Sequence, residues 1–205
     1  MIRTPIRSEV LPPLLIVGGF YPLLTPMPLG RAARYFRRRG RAVWIVPHGF
    51  RSMRDIDRRA GLVAAEIRRI LCRTGSDRLD ILAYSMGGPA ALRALQREDL
   101  AGRVRSFVSY GAPYRGSTAS LAILLTGYFA RMADQLLPGS EILEEIAAAG
   151  LPPGLHYDSA AGAKDWLCPP EQALLPGAEH VLCEHGHLDF LVNDSVYAFL
   201  EQHLR

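Results

Sequence analysis

Residues 80–90 have the sequence DILAYSMGGPA, with an apolar run before Ser85 and small residues after it. This pattern is typical of a nucleophile elbow, a sharp turn from a β-strand into an α-helix that holds a serine hydroxyl up into a cleft. Small residues are needed two positions before and two after the serine, because strand and helix pass close together there. Ala83 and Gly87 meet that need, so Ser85 is the candidate nucleophile.

On either side of this stretch, short apolar runs alternate with segments whose apolar residues recur at helical spacing. The apolar runs predict strands at residues 14–17, 42–46, 79–84, 104–110, 155–158 and 180–183. Helices are predicted at residues 29–39, 57–72, 87–96, 121–136, 141–149 and 193–203. This alternation predicts an α/β fold, a doubly wound, mainly parallel six-stranded sheet with helices on both faces. Because no linker or repeat interrupts it, we expect residues 1–205 to form a single domain.

The composition excludes several classes of protein. Hydrophobic residues make up 49% of the chain and charged residues 21%, which indicates a globular rather than a disordered protein. The net charge is +4, but Lys164 is the only lysine, and the arginines cluster between Arg31 and Arg41. That cluster predicts a solvated helix face rather than a surface that binds nucleic acid or membranes. The three cysteines follow no metal-ligand spacing and are expected to be free thiols, with a Cys168–Cys183 disulfide as the alternative.

The N-terminal apolar run bears on where in the cell the protein is located. Pro12 and Pro13 interrupt it, so it makes a poor signal peptide, and no run is long enough to span a membrane. We therefore expect a cytoplasmic protein with no stable membrane insertion and no nucleic-acid partner, and a secreted one only if a signal has been removed. Oligomeric state is not predicted.

A serine hydroxyl needs a base to take its proton, and histidine suits that task. After a nucleophile elbow the expected chain order is serine, then acid, then histidine. His187 follows the last predicted strand and precedes the last predicted helix. We favour it over His185 because Gly186 allows a sharp loop and the apolar Leu188 and Phe190 can anchor that loop.

Three aspartates compete for the role of the acid that orients the histidine. Asp165 is favoured because apolar and proline residues after it can pin the backbone of its loop. Asp158 is the alternative, at the predicted end of the fifth strand. Asp189 is disfavoured because a residue two positions from His187 rarely turns back onto that ring.

An acyl-transfer site must also stabilise the oxyanion of its tetrahedral intermediate. The backbone N–H of Met86, directly after the serine, is the first predicted donor. The second is assigned to the N–H of Phe20, in the loop after the first strand, with Gly19 as the close alternative. No metal ligands and no cofactor are predicted.

Several segments together resemble the α/β-hydrolase family, and more narrowly its small bacterial lipases and esterases. The segments are Ala83-Tyr84-Ser85-Met86-Gly87-Gly88, Gly111-Ala112-Pro113-Tyr114-Arg115-Gly116-Ser117, Gln135-Leu136-Leu137-Pro138-Gly139-Ser140, Asp165 with Pro169-Pro170, and Gly186-His187-Leu188. The resemblance covers nearly the whole chain. In place of the family's usual His-Gly, the first loop has Gly18-Gly19.

The resemblance implies hydrolysis of carboxylic esters through an acyl-serine intermediate, without a metal or cofactor. The expected substrates are small-molecule or lipid esters with short or medium acyl chains, triacylglycerols among them. An acyltransferase, thioesterase or amidase could use the same three residues, and a non-catalytic binding module of this fold is a further alternative. The apolar segment at residues 121–129 is interpreted as a core helix, or alternatively as a short lid.

Overall fold

The computed structural model describes residues 11–19, 29–47, 55–120 and 130–204. Its strands form one sheet in the order β2-β1-β3-β4-β5-β6, and every neighbouring pair is parallel. The strands are β1 (Leu14–Val17), β2 (Val43–Ile45), β3 (Leu79–Tyr84), β4 (Val104–Tyr110), β5 (His156–Gly162) and β6 (Glu179–Cys183). The predicted α/β class and six-stranded parallel sheet are therefore confirmed.

Helices connect these strands. They are α1 (Gly30–Arg38), α2 (Ile56–Thr74), α3 (Gly87–Arg97), α4 (Ala130–Gln135), α5 (Glu141–Ala149), α6 (Asp189–Val192) and α7 (Asp194–Glu201). Local chemistry sets their ends: the side chain of Asp55 accepts a hydrogen bond from the N–H of Arg58 at the start of α2, and Gly75 ends that helix with a φ of +67°. Residues 121–129, interpreted above as a core helix or lid, lie outside the described residues.

The sheet buries both of its faces, because alternate residues of each strand point to opposite sides. One apolar layer joins one face to α2, α3 and α5, with Ile81 and Phe107 at its centre. The other joins the opposite face to α1 and α7, with Leu82 and Val108 at its centre. Among residues 11–19, 29–47, 55–120 and 130–204, no helix is both long enough and apolar enough to cross a bilayer.

Strand β5 differs from its prediction. It extends to Gly162, four residues beyond the predicted end, so Asp158 lies inside the strand rather than at its end. The loop with Asp165 therefore begins closer to that residue, at the carboxyl edge of the sheet. Ser85 lies at the same edge, next to the switch in strand order between β1 and β3, which is where ligand crevices form in sheets of this kind.

Candidate active site

Ser85 occupies a strained turn between the last residue of β3 and the first residue of α3. Its φ is +55°, a left-handed conformation that costs a residue with a Cβ about 1–2 kcal/mol. Two backbone hydrogen bonds hold the turn: the N–H of Ser85 donates to the carbonyl of Tyr110 at 3.0 Å, and the N–H of Gly88 donates to the carbonyl of Ser85 at 2.9 Å. Ser85 is half-buried and lies at the carboxyl edge of the sheet.

Close backbone approach explains why this turn needs glycines. A Cβ on Gly87 would lie 2.2 Å from the carbonyl oxygen of Val17 at the end of β1. A Cβ on Gly19 would lie 2.5 Å from the Cβ of Ser85 and 3.1 Å from its Oγ. The end of β1 thus packs directly against the elbow, and the main chain of Gly19 lines the space beside the serine hydroxyl.

The structure brings Ser85, His187 and Asp165 into one hydrogen-bonded chain. Asp165 Oδ2 lies 2.7 Å from His187 Nδ1, and His187 Nε2 lies 3.1 Å from Ser85 Oγ. Asp165 and His187 are buried, with 3% and 7% of their surface exposed. Both distances are within hydrogen-bond range, and the carboxylate and the hydroxyl sit on opposite nitrogens of the ring.

The second oxygen of Asp165 is occupied by its own loop. Oδ1 accepts hydrogen bonds from the N–H groups of Leu167, at 3.0 Å, and Cys168, at 2.7 Å. These bonds fix the rotation of the carboxylate and leave Oδ2 for the histidine. Burial, followed by the charge of Asp165, raises the pKa of the Cys168 thiol, which is therefore neutral near pH 7. Cys72, Cys168 and Cys183 are all free thiols.

The rival acid and base residues lie elsewhere. Asp158 is buried inside β5, and its carboxylate oxygens lie 3.0 Å from His156 Nε2 and 3.2 Å from His203 Nδ1, on histidines away from Ser85. The ring of His185 faces the hydroxyl of Ser195 at 2.9 Å. Asp189 accepts a hydrogen bond from the N–H of Gly186 at 2.7 Å, which caps the turn before α6.

Two tyrosines that the sequence analysis missed hold the histidine loop. The hydroxyl of Tyr84 donates to the carbonyl of His187 at 3.1 Å, and that of Tyr110 donates to the carbonyl of Gly186 at 2.9 Å. Burial raises the pKa of both tyrosines, so both hydroxyls stay protonated and can donate. The signal that could have found them is the parallel pairing of β3 with β4, which places these two residues side by side at the carboxyl edge.

An aromatic stack completes this support. Phe190 is fully buried, and its ring lies 4.3 Å from that of Tyr84 in a nearly parallel arrangement. Leu188, which was also expected to anchor the loop, is 53% exposed. That part of the prediction is wrong, because the short helix α6 turns Phe190 towards the sheet and Leu188 towards solvent.

Gly111 lies beneath the histidine and the aspartate. Its φ is +55°, and a Cβ there would lie 2.8 Å from His187 Nδ1 and 2.9 Å from Asp165 Oδ2. Only a residue without a Cβ fits this position without displacing the pair. The main chain at the end of β4 therefore packs directly against the His187–Asp165 hydrogen bond.

Solved structures of lipases and esterases share this architecture. The mature form of the Bacillus licheniformis lipase BlEst2 superposes with a TM-score of 0.79 at 16% identity, over 96% of this chain and 93% of that one. MGS-MChE2, an alpha/beta hydrolase enzyme from a lagoon-sediment metagenome, superposes with a TM-score of 0.65 at 20% identity, over 94% and 89%. This chain has the α/β-hydrolase fold. Aspergillus fumigatus lipase B also matches, with a TM-score of 0.68 at 16% identity, over 94% of this chain and 52% of that one.

Sequence comparisons add nothing to this assignment. No protein-family sequence model matches the chain, and no curated protein matches it by sequence. The α/β-hydrolase assignment therefore depends on the three-dimensional arrangement.

In the α/β-hydrolase fold, the oxyanion donors come from the residue after the nucleophile and from a loop at the carboxyl edge. Met86 directly precedes α3, and the first N–H groups of a helix have no acceptor within the helix. Its side chain is buried in the core and has no N–H to donate, so the main chain is the part of Met86 that can act as a donor. Phe20, the second predicted donor, lies outside the described residues, whereas its alternative Gly19 contacts the elbow.

Proposed function

We propose that this protein hydrolyses carboxylic esters through a covalent acyl-serine intermediate. In this proposal Ser85 is the nucleophile, His187 the general base and acid, and Asp165 the group that orients the histidine. The observation that carries it is the hydrogen-bonded chain from Asp165 through His187 to Ser85. The lipases and esterases among the structural neighbours support the same reaction class.

In the acylation step, His187 Nε2 takes the proton of Ser85 Oγ as that oxygen attacks the carbonyl carbon of the ester. The carbonyl oxygen becomes an oxyanion, and the N–H groups of Met86 and of Phe20 or Gly19 are the proposed donors to it. Each such donor lowers the barrier by about 3 kcal/mol. The tetrahedral intermediate then collapses, and His187 returns the proton to the departing alcohol.

In the deacylation step, His187 takes a proton from a water molecule, which attacks the acyl-serine ester. Collapse of the second tetrahedral intermediate releases the carboxylic acid, and the proton returns from the imidazolium to Ser85 Oγ. In both steps the role of Asp165 is to hold the ring and stabilise the imidazolium.

Exposed apolar side chains beside the two partner residues favour an apolar substrate. Trp166, adjacent to Asp165, is 72% exposed, and Leu188, adjacent to His187, is more than half exposed. An acyl chain or a lipid ester would cover such surface favourably. We therefore propose esters with short or medium acyl chains, including triacylglycerols, as the substrate class.

The test combines a covalent probe with a substrate series. A fluorophosphonate probe should label the wild-type protein, and Ser85→Ala should lose both labelling and hydrolysis of p-nitrophenyl esters. A series from acetate to laurate then gives the preferred chain length, and added alcohol or amine acceptors separate hydrolysis from acyl transfer. Labelling that persists in Ser85→Ala, or a folded wild-type protein inert to the probe and to every ester, would refute the proposal.

A further inference from the structure

A second cluster of ionisable side chains lies at the amino-terminal end of β5. His156 and Asp158 are two residues apart on the strand, so their side chains share one face of the sheet. The register pairs Asp158 with Glu179, the first residue of β6. One ligand atom from each of these three residues lies within 4.8 Å of the other two. At about 3.3 Å per residue, Asp158 lies about 13 Å and His156 about 20 Å along the strand from Gly162 at the carboxyl edge, so this cluster is separate from the candidate active site.

Asp158 carries an oxygen that accepts no hydrogen bond from any described residue. The residue is fully buried, and its Oδ2 lies 3.2 Å from Nδ1 of His203. No described residue donates a hydrogen bond to its Oδ1, although His156 Nε2 is only 3.0 Å away. The buried Nε2 of His156 also has no hydrogen-bond partner among the described residues. The two atoms are thus in contact without the alignment of a hydrogen bond, and burying them in that state is costly.

This geometry fits two ligands of one metal ion. Ligand atoms about 2.0–2.2 Å from a shared metal, at angles between square and tetrahedral, lie about 3 Å apart. The separation of 3.0 Å between His156 Nε2 and Asp158 Oδ1 has that value. His203 holds the other carboxylate oxygen, as the outer partner of a ligating carboxylate does.

We propose that His156, Asp158 and Glu179 bind one divalent transition-metal ion of the Zn²⁺ class. Imidazole nitrogen with two carboxylates suits Zn²⁺ better than Ca²⁺ or Mg²⁺, which prefer oxygen ligands alone. Glu179 is exposed, so the ion can enter from solvent, and three protein ligands leave a fourth position for water. The ion would link edge strand β6 to β5 and, through His203, to the segment after α7.

The first test measures stabilisation of the whole protein by the metal alone. The chain is stripped of metal with a chelator, dialysed, and titrated with ZnCl₂ by calorimetry and thermal unfolding. We expect one Zn²⁺ per chain at this site and a Tm rise of about 5 °C or more at a hundredfold excess over Kd. CaCl₂ and MgCl₂ at the same concentration should leave Tm unchanged, and an equal rise with all three ions would overturn the assignment.

The second test uses variants. Glu179→Gln preserves the shape of an exposed side chain and should weaken Zn²⁺ binding at least about tenfold. His156→Ala removes a second proposed ligand and should weaken Zn²⁺ binding by at least as much. The matched control is His180→Ala, which removes the exposed histidine next to Glu179 on the opposite face of β6. Zn²⁺ binding that persists in both variants, or that is lost equally in the control, would refute the site. These readouts do not depend on ester hydrolysis.

Discussion

The hydroxyl of Tyr84 donates a hydrogen bond to the backbone carbonyl of His187 at 3.1 Å. The residue that precedes the candidate nucleophile thus holds the residue proposed as its base, 103 positions later in the chain. Its ring also lies 5.0 Å from the imidazole and stacks on Phe190. One strand end therefore positions both reacting side chains, Ser85 through the main chain and His187 through Tyr84.

We predict that Tyr84→Phe lowers kcat roughly tenfold to a hundredfold while KM for a p-nitrophenyl ester changes little. The substitution removes the hydroxyl but keeps the ring that stacks on Phe190, so the histidine loop loses its tether without losing its packing. Steady-state kinetics measures the effect on kcat and KM. Urea unfolding should show a loss of about 1 kcal/mol, the usual value of one hydrogen bond.

The control for that variant is Tyr157→Phe. Tyr157 donates its hydroxyl to the carbonyl of Pro152 at 2.8 Å and lies near the amino end of β5, away from Ser85. It should lose a similar stability of about 1 kcal/mol with kcat unchanged. Equal losses of kcat in the two variants would show that the hydroxyl of Tyr84 acts on stability alone.

We predict that Asp165→Asn lowers kcat by about 10³–10⁴-fold. The amide keeps the shape of the carboxylate, but it cannot stabilise the imidazolium and it favours the wrong tautomer of His187. The control is Asp194→Asn, which removes an exposed carboxylate paired with Arg31 and should leave kcat unchanged. An Asp165→Asn enzyme with nearly normal kcat would contradict the assignment of the acid.

We predict that Gly111→Ala abolishes most of the esterase activity as well as destabilising the fold. The alanine must adopt a φ of +55°, and its Cβ would crowd both His187 Nδ1 and Asp165 Oδ2. The control is Gly75→Ala, where φ is +67° and a Cβ would meet nothing within 4 Å. Both variants should lose about 1–2 kcal/mol of unfolding free energy to backbone strain, but only Gly111→Ala should lose kcat. Normal activity in Gly111→Ala would mean that the pair can shift without cost.

We predict that the protein loses stability at alkaline pH before its arginines titrate. Burial raises the pKa of Tyr84, Tyr110, Tyr114, Tyr157 and Tyr197, and that of Tyr197 reaches about 12. Above about pH 10 the unfolded chain releases tyrosine protons that the folded chain keeps, so the unfolding free energy falls as pH rises. The slope is about 1.4 kcal/mol per pH unit for each such tyrosine.

Urea unfolding at a series of pH values from about 9 to about 11.5 measures that slope. Tyr197→Phe should make it shallower, because it removes one tyrosine that ionises in the unfolded chain alone over this range. A free energy of unfolding that stays constant across the series would contradict the prediction.

The chain's local patterns determined most of the fold. The predicted bounds of β1, β3, β4 and α5 coincide with the observed ones, because apolar runs and helical periodicity are properties of neighbouring residues. The turn at Ser85 was also predictable, since a serine between a buried strand and small residues leaves few other conformations. Strand β5 was predicted too short because Ser159, Ala160, Ala161 and Gly162 lack the large apolar side chains that mark a strand.

The tertiary structure decided which of the candidate residues meet. Asp158 and Asp165 are seven positions apart, and the observed length of β5 places Asp158 beside the half-buried His156 and His203 and Asp165 beside His187. The roles of Tyr84 and Tyr110, and the approach of Glu179 to Asp158, likewise depend on strand register and loop path. Register is set by packing between segments distant in the chain, so no local pattern of residues encodes it. The sequence predicted a serine at the carboxyl edge of a parallel sheet and favoured Asp165 and His187 as its partners, and tertiary packing determined which candidates lie within hydrogen-bond distance of one another.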